Sequence, residues 1–370
     1  AFLVVVNSSE IKLTKYADLW IDAQKGSNTA LMAGIINEVI DSNAYDAGFV
    51  NQHTENFTAL KGMVSVFDKK SVVSHTGLDN DRYNQLIGLL NKPDANIVFI
   101  YNIDSVKEKS GGDLKAITNF LVLTNRIQKK NNGIYLMRDF VNSSGMMDMG
   151  MNPYYLPGHV RHDQKKDIAA IAKAWGVNLE EVFKPVEIKE KLLNNSIKAV
   201  LVFGEDPLMN EDNYRYFQGL EFLMVCDTHS TDTAKAAQMV FPLRNFTEQD
   251  GTVTSGDNNI QPLKAFISRE NQPENWKIIS ELANNMGENF AYASNRSIFA
   301  EIQKINRFYE KTGENGIWSN DLFRDGFFLD GKKARFSTFT VDFSAKYAEK
   351  PVVHFSESFY RSRIKGKITQ

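Results

Sequence analysis

The residues able to hold a metal or attack a substrate are few, and their spacing suits neither task. The 370-residue chain has one cysteine, Cys226. A single thiol cannot close an internal disulfide, complete a cysteine-ligated zinc site or hold an iron–sulfur cluster, each of which takes several. Cys226 also ends the apolar run Phe222–Cys226, where a thiol packs as a small core residue rather than as a ligand. His53, His75, His159, His162 and His229 lack the i, i+4 helical pairing with a third ligand that a metal needs. His159 and His162 come nearest to a pair, and on a loop such a pair usually faces water. No Gly-x-Ser-x-Gly elbow, Walker loop or Gly-x-Gly-x-x-Gly fingerprint is present. Lys109-Ser110-Gly111-Gly112 reads as a turn.

What remains is a set of glycines, amides and carboxylates at the edges of apolar runs. Gly26, Ser27 and Asn28 precede an apolar helical stretch. Helix N-termini suit phosphate because several amides there point outward unpaired, although Ser27 or Asn28 could equally be an ordinary N-cap. Asp227 closes an apolar strand, a position from which a carboxylate can accept bonds from nucleotide hydroxyls or cap the helix that begins near Ser230.

These positions are spaced by a regular alternation of elements. Apolar runs of strand length recur at 2–6, 96–101, 133–137, 199–203, 222–226 and 239–243, most without in/out alternation, as suits parallel strands buried on both faces. Helical spacing separates them at 29–40, 81–90, 114–124, 166–175, 210–217, 276–285 and 296–309. The pattern predicts an α/β fold of open, mostly parallel sheets with helices on both faces and right-handed crossovers. Residues 335–343 alternate like an edge strand, and 351–355 could add another. The apolar start at Phe2–Val6 reads as a buried strand and raises the expectation of further chain upstream.

Composition narrows the partners. With 43 basic and 45 acidic residues the formal charge is −2, so no global field draws the chain to nucleic acid or to an anionic membrane surface. No apolar run approaches the roughly 20 residues that span a bilayer. A reducing, cytoplasmic setting fits the cysteine usage.

Three stretches, in order, resemble the molybdopterin oxidoreductase family, in particular the formate dehydrogenase alpha subunit and the large iron–sulfur subunit of complex I. Ala17-Asp18-Leu19-Trp20 with Lys25-Gly26-Ser27-Asn28-Thr29-Ala30-Leu31 is similar to the family's Gly-rich turn and helix. Asn142 to Gly150, then Asn152-Pro153 and Leu156-Pro157-Gly158, is similar to its N-x-x-G-x-x-D-M-G loop and is the most specific of the three. Ala199 to Pro207 resembles the strand and turn "GeNP"; Val225 to Ala234, Val240 to Leu243, Glu248, Gly251 to Ser255 and Gln261 resemble the segment after it. Asp330 to Phe336 echoes a strand near the end of many members.

The resemblance implies domains like the second and third of formate dehydrogenases: 1–70 as an α/β subdomain continued from upstream, 71–290 as a doubly wound cofactor-binding half, and 291–370 as a helix with a strand and loop extension. It implies that Gly26, Asn142, Asp148, Gly150, Gly204 and Asp227 line the guanosine ends of molybdopterin guanine dinucleotide, if that cofactor is retained with molybdenum or tungsten. Several positions depart from the family pattern. Asn7-Ser8-Ser9 replaces D-P-R, Asp206 replaces the usual Asn, and Ser255 to Asn259 replaces N-x-E-x-R. Each change removes positive charge or adds negative charge where a phosphate would sit.

The expectation is therefore a chain with no cofactor and no catalysis of its own. It would be the structural and docking part of a complex whose iron–sulfur clusters lie on another segment or on partners, alongside flavin or NAD(P)H-binding subunits. Two alternatives stand beside it: a piece of an active molybdenum or tungsten formate dehydrogenase, and a nucleotide-binding sensor.

Overall fold

The computed structural model describes residues 1–102, 112–127, 129–138, 140–152, 154–179, 187–306, 308–310, 318–319 and 333–339. They fall into two compact units, 1–135 with 325–370, and 136–324.

The first unit is built around α1 (Asn28–Asp41), whose residues are buried on nearly every side. A helix apolar all round must be enclosed by others, and here α3 (Phe57–Val64), α4 (Lys69–Thr76) and α6 (Gly112–Leu123) surround it. Gly34 permits the close approach: a Cβ there would meet Val72 Cγ2 at 2.3 Å. α2 (Ala47–His53) and α5 (Asn80–Leu90) complete the helical layer. Because α6 belongs to the same core, the unit continues well past residue 70.

The unit's strands are short. β1 (Val4–Val6) pairs in parallel with β2 (Leu19–Ile21), Val5 opposite Trp20. Only Val5 of the predicted buried run is in the core, while Phe2 is 58% and Val6 44% exposed. β4 (Val98–Asn102) pairs with β5 (Gly133–Met137). β14 (Ala334–Arg335) pairs in parallel with β3 (Thr54–Glu55). Asn119 of α6 fastens the residues after β14, donating to Ser337 O at 2.8 Å and accepting from Ser337 N at 3.0 Å. The rest of the predicted edge strand, from 340 on, and the run 351–355 lie outside the described residues, as do 103–111.

The second unit contains a parallel sheet ordered β10-β9-β8, from β8 (Ala199–Phe203), β9 (Phe222–Asp227) and β10 (Met239–Pro242). Its helices include α7 (Ser143–Asp148), α8 (Lys165–Trp175), α9 (Ile188–Leu193), α10 (Tyr214–Phe217), α11 (Asp232–Ala236), α12 (Asn275–Asn285) and α13 (Asn295–Ile305). Phe217 of α10 and Ala234 of α11 pack with Val200, Val202, Leu223 and Val225 on one sheet face. An antiparallel sheet of β11 (Gly251–Thr254), β12 (Asn259–Leu263) and β13 (Trp318–Ser319) lies in the same unit. β6 (Tyr155–Leu156) and β7 (Val160–Arg161) form a small antiparallel pair after α7.

The segment 210–217 predicted as one helix is a 3-10 turn (Glu211–Asn213) followed by the single turn of α10, and a further 3-10 turn (Pro207–Met209) precedes it. Pro207 and the Asn210 side chain, which accepts from Asp212 N at 3.1 Å, favour the tighter turns. Among the described residues no helix is long and apolar enough to cross a membrane.

Candidate functional site

Of the six candidate residues, Gly26 is in the first unit and the other five are in the second.

Gly26 has φ +84 in the turn before α1, a conformation that costs glycine little. Ser27 occupies the N-cap position, but its hydroxyl donates to Gln24 O at 2.6 Å and caps nothing. The polar side chains opening α1 turn inward instead. Thr29 Oγ1 donates a short hydrogen bond to the carboxylate of Asp113 in the first turn of α6. Asn28 and Tyr101 also bond to Asp113. Asp113 is 3% exposed, and this burial raises its pKa against the lowering effect of those three hydrogen bonds.

Asn142, Asp148 and Gly150 lie within one turn-rich segment that follows β5. Asn142 Oδ1 accepts from Thr254 N of β11 at 2.9 Å, and Thr254 Oγ1 is 2.7 Å from Tyr309 Oη. The Tyr309 hydroxyl donates to Asp148 Oδ2 at 3.2 Å, while His159 Nε2 is 3.0 Å from Asp148 Oδ1. Asn306 Nδ2 donates to Asp148 O at 2.8 Å. Asp148, Thr254, Asn306 and Tyr309 are all buried. Burial, then the Asp148 charge, pushes the Tyr309 phenol well above the usual tyrosine range.

Gly150 has φ +74, and a Cβ there would stand 2.8 Å from both Leu156 C and Pro157 N. The loop therefore requires glycine on two counts. The methionines divide: Met149 packs beside Ile260, Phe308 and Tyr309, whereas Met146 and Met151 are exposed.

Gly204 and Asp227 end neighbouring parallel strands, and Gly204 N donates to Cys226 O at 2.8 Å. Gly204 has φ +65 with open space around it. Beside it, Asp206 Oδ1 accepts from Thr233 N at 2.9 Å and from Thr233 Oγ1 at 2.6 Å, and Oδ2 accepts from Asp232 N at 3.4 Å. The carboxylate thus sits on the first amides of α11, where the helix dipole favours a negative charge. Thr231 supplies the N-cap, accepting from Ala234 N at 3.1 Å. The helix begins at Asp232, close to the expected start near Ser230, and Asp227 does not cap it. Instead Asp227 Oδ1 accepts from His229 N at 3.0 Å in an Asx turn.

Cys226 is fully buried on β9, and that burial pushes its thiol up. Glu248, also buried, pairs with Arg269 at 2.7 Å and accepts from Asn245 N at 3.1 Å, clasping its loop. Among the described residues no three His, Cys, Asp or Glu side chains converge as a metal site would need.

Asp113, Asn306 and Tyr309 were not singled out in the sequence, and His159 and Thr254 were noted only as a loop histidine and as part of a matched segment, yet all five contact the candidate segments. Asn119 and Asn306 share a signal that sequence alone carries, a polar residue inside or at the end of an apolar helical stretch. Asp113 has the composition of an ordinary first-turn acid, and nothing in its spacing announces that it is buried.

The described residues thus form an α/β chain in which the parallel strand β8 ends in the Gly204 turn and the loop after β5 is closed by buried polar contacts. The chain belongs to the molybdopterin oxidoreductase family, whose profile matches residues 1–285. It is 27% identical over 331 residues to formate dehydrogenase H of Escherichia coli, covering 86% of this chain and 46% of that protein. The F420-dependent formate dehydrogenase subunit alpha of Methanocaldococcus jannaschii is 26% identical over 321 residues, covering 84% and 47%. The NADPH-Fe(3+) oxidoreductase subunit alpha of Geobacter sulfurreducens is 26% identical over 326 residues, covering 85% and 38%. The chain thus spans about half the length of these relatives or less. Acetylene hydratase from Pelobacter acetylenicus shares the fold with a TM-score of 0.62 at 16% identity, over 98% of this chain and 55% of that one.

Proposed function

We propose that this chain is part of the structural body of a multi-subunit redox assembly. On this reading it is a formate-dehydrogenase-like fold that docks iron–sulfur and flavin or NAD(P)H-binding subunits and turns over no substrate itself. One observation carries the reading: the polar groups that would have to meet a pterin nucleotide already serve the protein's own carboxylates. Asp113 takes the side chains that open α1, Asp148 takes Tyr309 and His159, and Asp206 takes the amides of α11.

A phosphate brought to any of these places would face a fixed negative charge and would have to displace satisfied hydrogen bonds, each costly to leave unmade. Within these residues the one cysteine, Cys226, is buried and that burial pushes its thiol up, so it does not readily offer a thiolate to a metal. No reaction step is therefore assigned to the cofactor. What the residues do in this reading is mechanical: they lock the loop after β5 and the ends of β8 and β9 so that the surface keeps its shape. Two of the relatives are alpha subunits by name, which supports partners as the source of redox chemistry.

Calorimetry of the full-length large subunit against GDP tests this, with Asp206→Asn, which restores the family's usual residue, as a second sample. Neither is expected to give saturable heat. One-to-one binding by the unsubstituted protein would favour a retained cofactor site.

A further inference from the structure

An open cleft of about 540 Å³ in the first unit lies between α4 and α5, lined by Lys69, Lys70, Val73 and Ser74 of α4 and by Asn80 at the start of α5. None of these is among the six candidate residues. The volume is within the roughly 300–1,000 Å³ of sites that take small molecules. Positions i, i+1, i+4 and i+5 share one side of a helix, so the four α4 residues face the cleft together.

The lining holds two cations and no carboxylate. Lys69 is half-buried and Lys70 exposed, and neither is in an ion pair among the described residues. The acids that precede the two helices are used elsewhere. Asp68 caps α4 by accepting from Ser71 N at 2.7 Å, while Asp79 accepts from Arg82 N at 2.7 Å and pairs with Arg82 Nε at 3.4 Å. Lysines in the first turn also oppose the dipole of their own helix, where a carboxylate would be favoured. A local rule broken with no structural return is a mark of function.

The base of the cleft is fixed. Val72 and Thr76, on the inner side of α4, are fully buried, and Leu78 is buried in the connection to α5. Thr76 Oγ1 donates to Val72 O at 2.8 Å and accepts from Leu78 N at 3.3 Å, and Gly77 turns the chain at φ +70. The two helices that carry the lining are therefore already in place for a ligand.

We propose that this cleft binds a phosphomonoester, a dianion with an apolar substituent. The two ammonium groups neutralise the phosphoryl charge. Ser74 Oγ and the Asn80 amide donate to its oxygens, and Val73 supports the apolar part. The site is independent of whether the chain holds a redox cofactor.

Calorimetry of the full-length large subunit with phenyl phosphate, inorganic phosphate and benzoate tests it. Saturable binding of phenyl phosphate is expected, several-fold tighter than that of inorganic phosphate, which lacks the apolar part, or of benzoate, which carries one charge. Affinity should fall as salt rises. Lys69→Gln combined with Lys70→Gln should weaken binding at least several-fold, whereas Lys61→Gln, on α3 and outside the cleft, should leave it unchanged. A melting temperature equal to the parent's without ligand shows that the double variant is folded. Val73→Glu, which puts a carboxylate into the cleft, should give the same loss by a second route. No saturable heat from the parent, phenyl phosphate no tighter than the other two probes, or affinity unmoved by the lysine substitutions would each overturn the proposal.

Discussion

Tyr309 joins two segments through a single hydroxyl, and removing it separates packing from polar satisfaction. Tyr309→Phe keeps the ring against Phe299 but leaves Asp148 Oδ2 and Thr254 Oγ1 each short of a partner in a buried place. The expected cost is about 1–3 kcal/mol, read by denaturant unfolding. The pH dependence follows from the raised phenol pKa. The folded protein holds this proton more tightly than the unfolded chain, so the contribution is fully present below the ordinary value of 10.0 and is lost as pH rises past it. Tyr83, also raised by burial, acts in the same direction. Unfolding free energy should therefore fall above pH 10, and less steeply in Tyr309→Phe than in the parent. Asp113 is another residue whose charge opposes folding. Its raised carboxyl pKa means that its favourable contribution belongs to acid solution and is lost as pH rises through that value. Asp113→Asn keeps an acceptor for Thr29 and removes the buried charge. The variant should melt up to about 3 °C higher at pH 7, and the gain should shrink toward pH 4; a lower melting temperature at pH 7 would count against the assignment.

Among elements, Gly150 and Gly204, two of the three candidate glycines at positive φ, make a controlled pair. Gly150→Ala must force a Cβ against the backbone of Leu156 and Pro157, whereas Gly204→Ala meets open space. The second should cost about 1 kcal/mol for backbone conformation alone, and the first clearly more, with melting temperatures of the two variants deciding it. Equal losses would mean that the loop after β5 yields easily. The contrast also marks how far the sequence could be read. Strands at 133–137 and 199–203 and the long helices were legible because their apolar periods run for whole elements. The short helices α2, α3, α4 and α7 were not, since one or two turns show too little period to separate them from loops. The helix after β9 was placed near Ser230, but Thr231 is its cap because Asp227 folds back onto His229 N. Candidate positions could be found from order and spacing. Their hydrogen-bond partners could not, because Tyr309 lies 161 residues from Asp148 and Thr254 lies 112 from Asn142.

At the scale of the molecule, charge is nearly balanced. The balance of 43 basic and 45 acidic residues leaves no field to steer a polyanion, and the carboxylates near the strand ends and helix starts are tied up internally. On the proposed reading, the three internal carboxylates Asp113, Asp148 and Asp206 take hydrogen bonds that a ligand would otherwise make. The most direct test is the molybdenum, tungsten and pterin content per large subunit in the intact complex, purified without chelators. The account predicts none of the three at a stoichiometric level, with the complex still carrying out electron transfer through its other subunits. One molybdenum or tungsten with pterin per large subunit, bound by this chain, would contradict it.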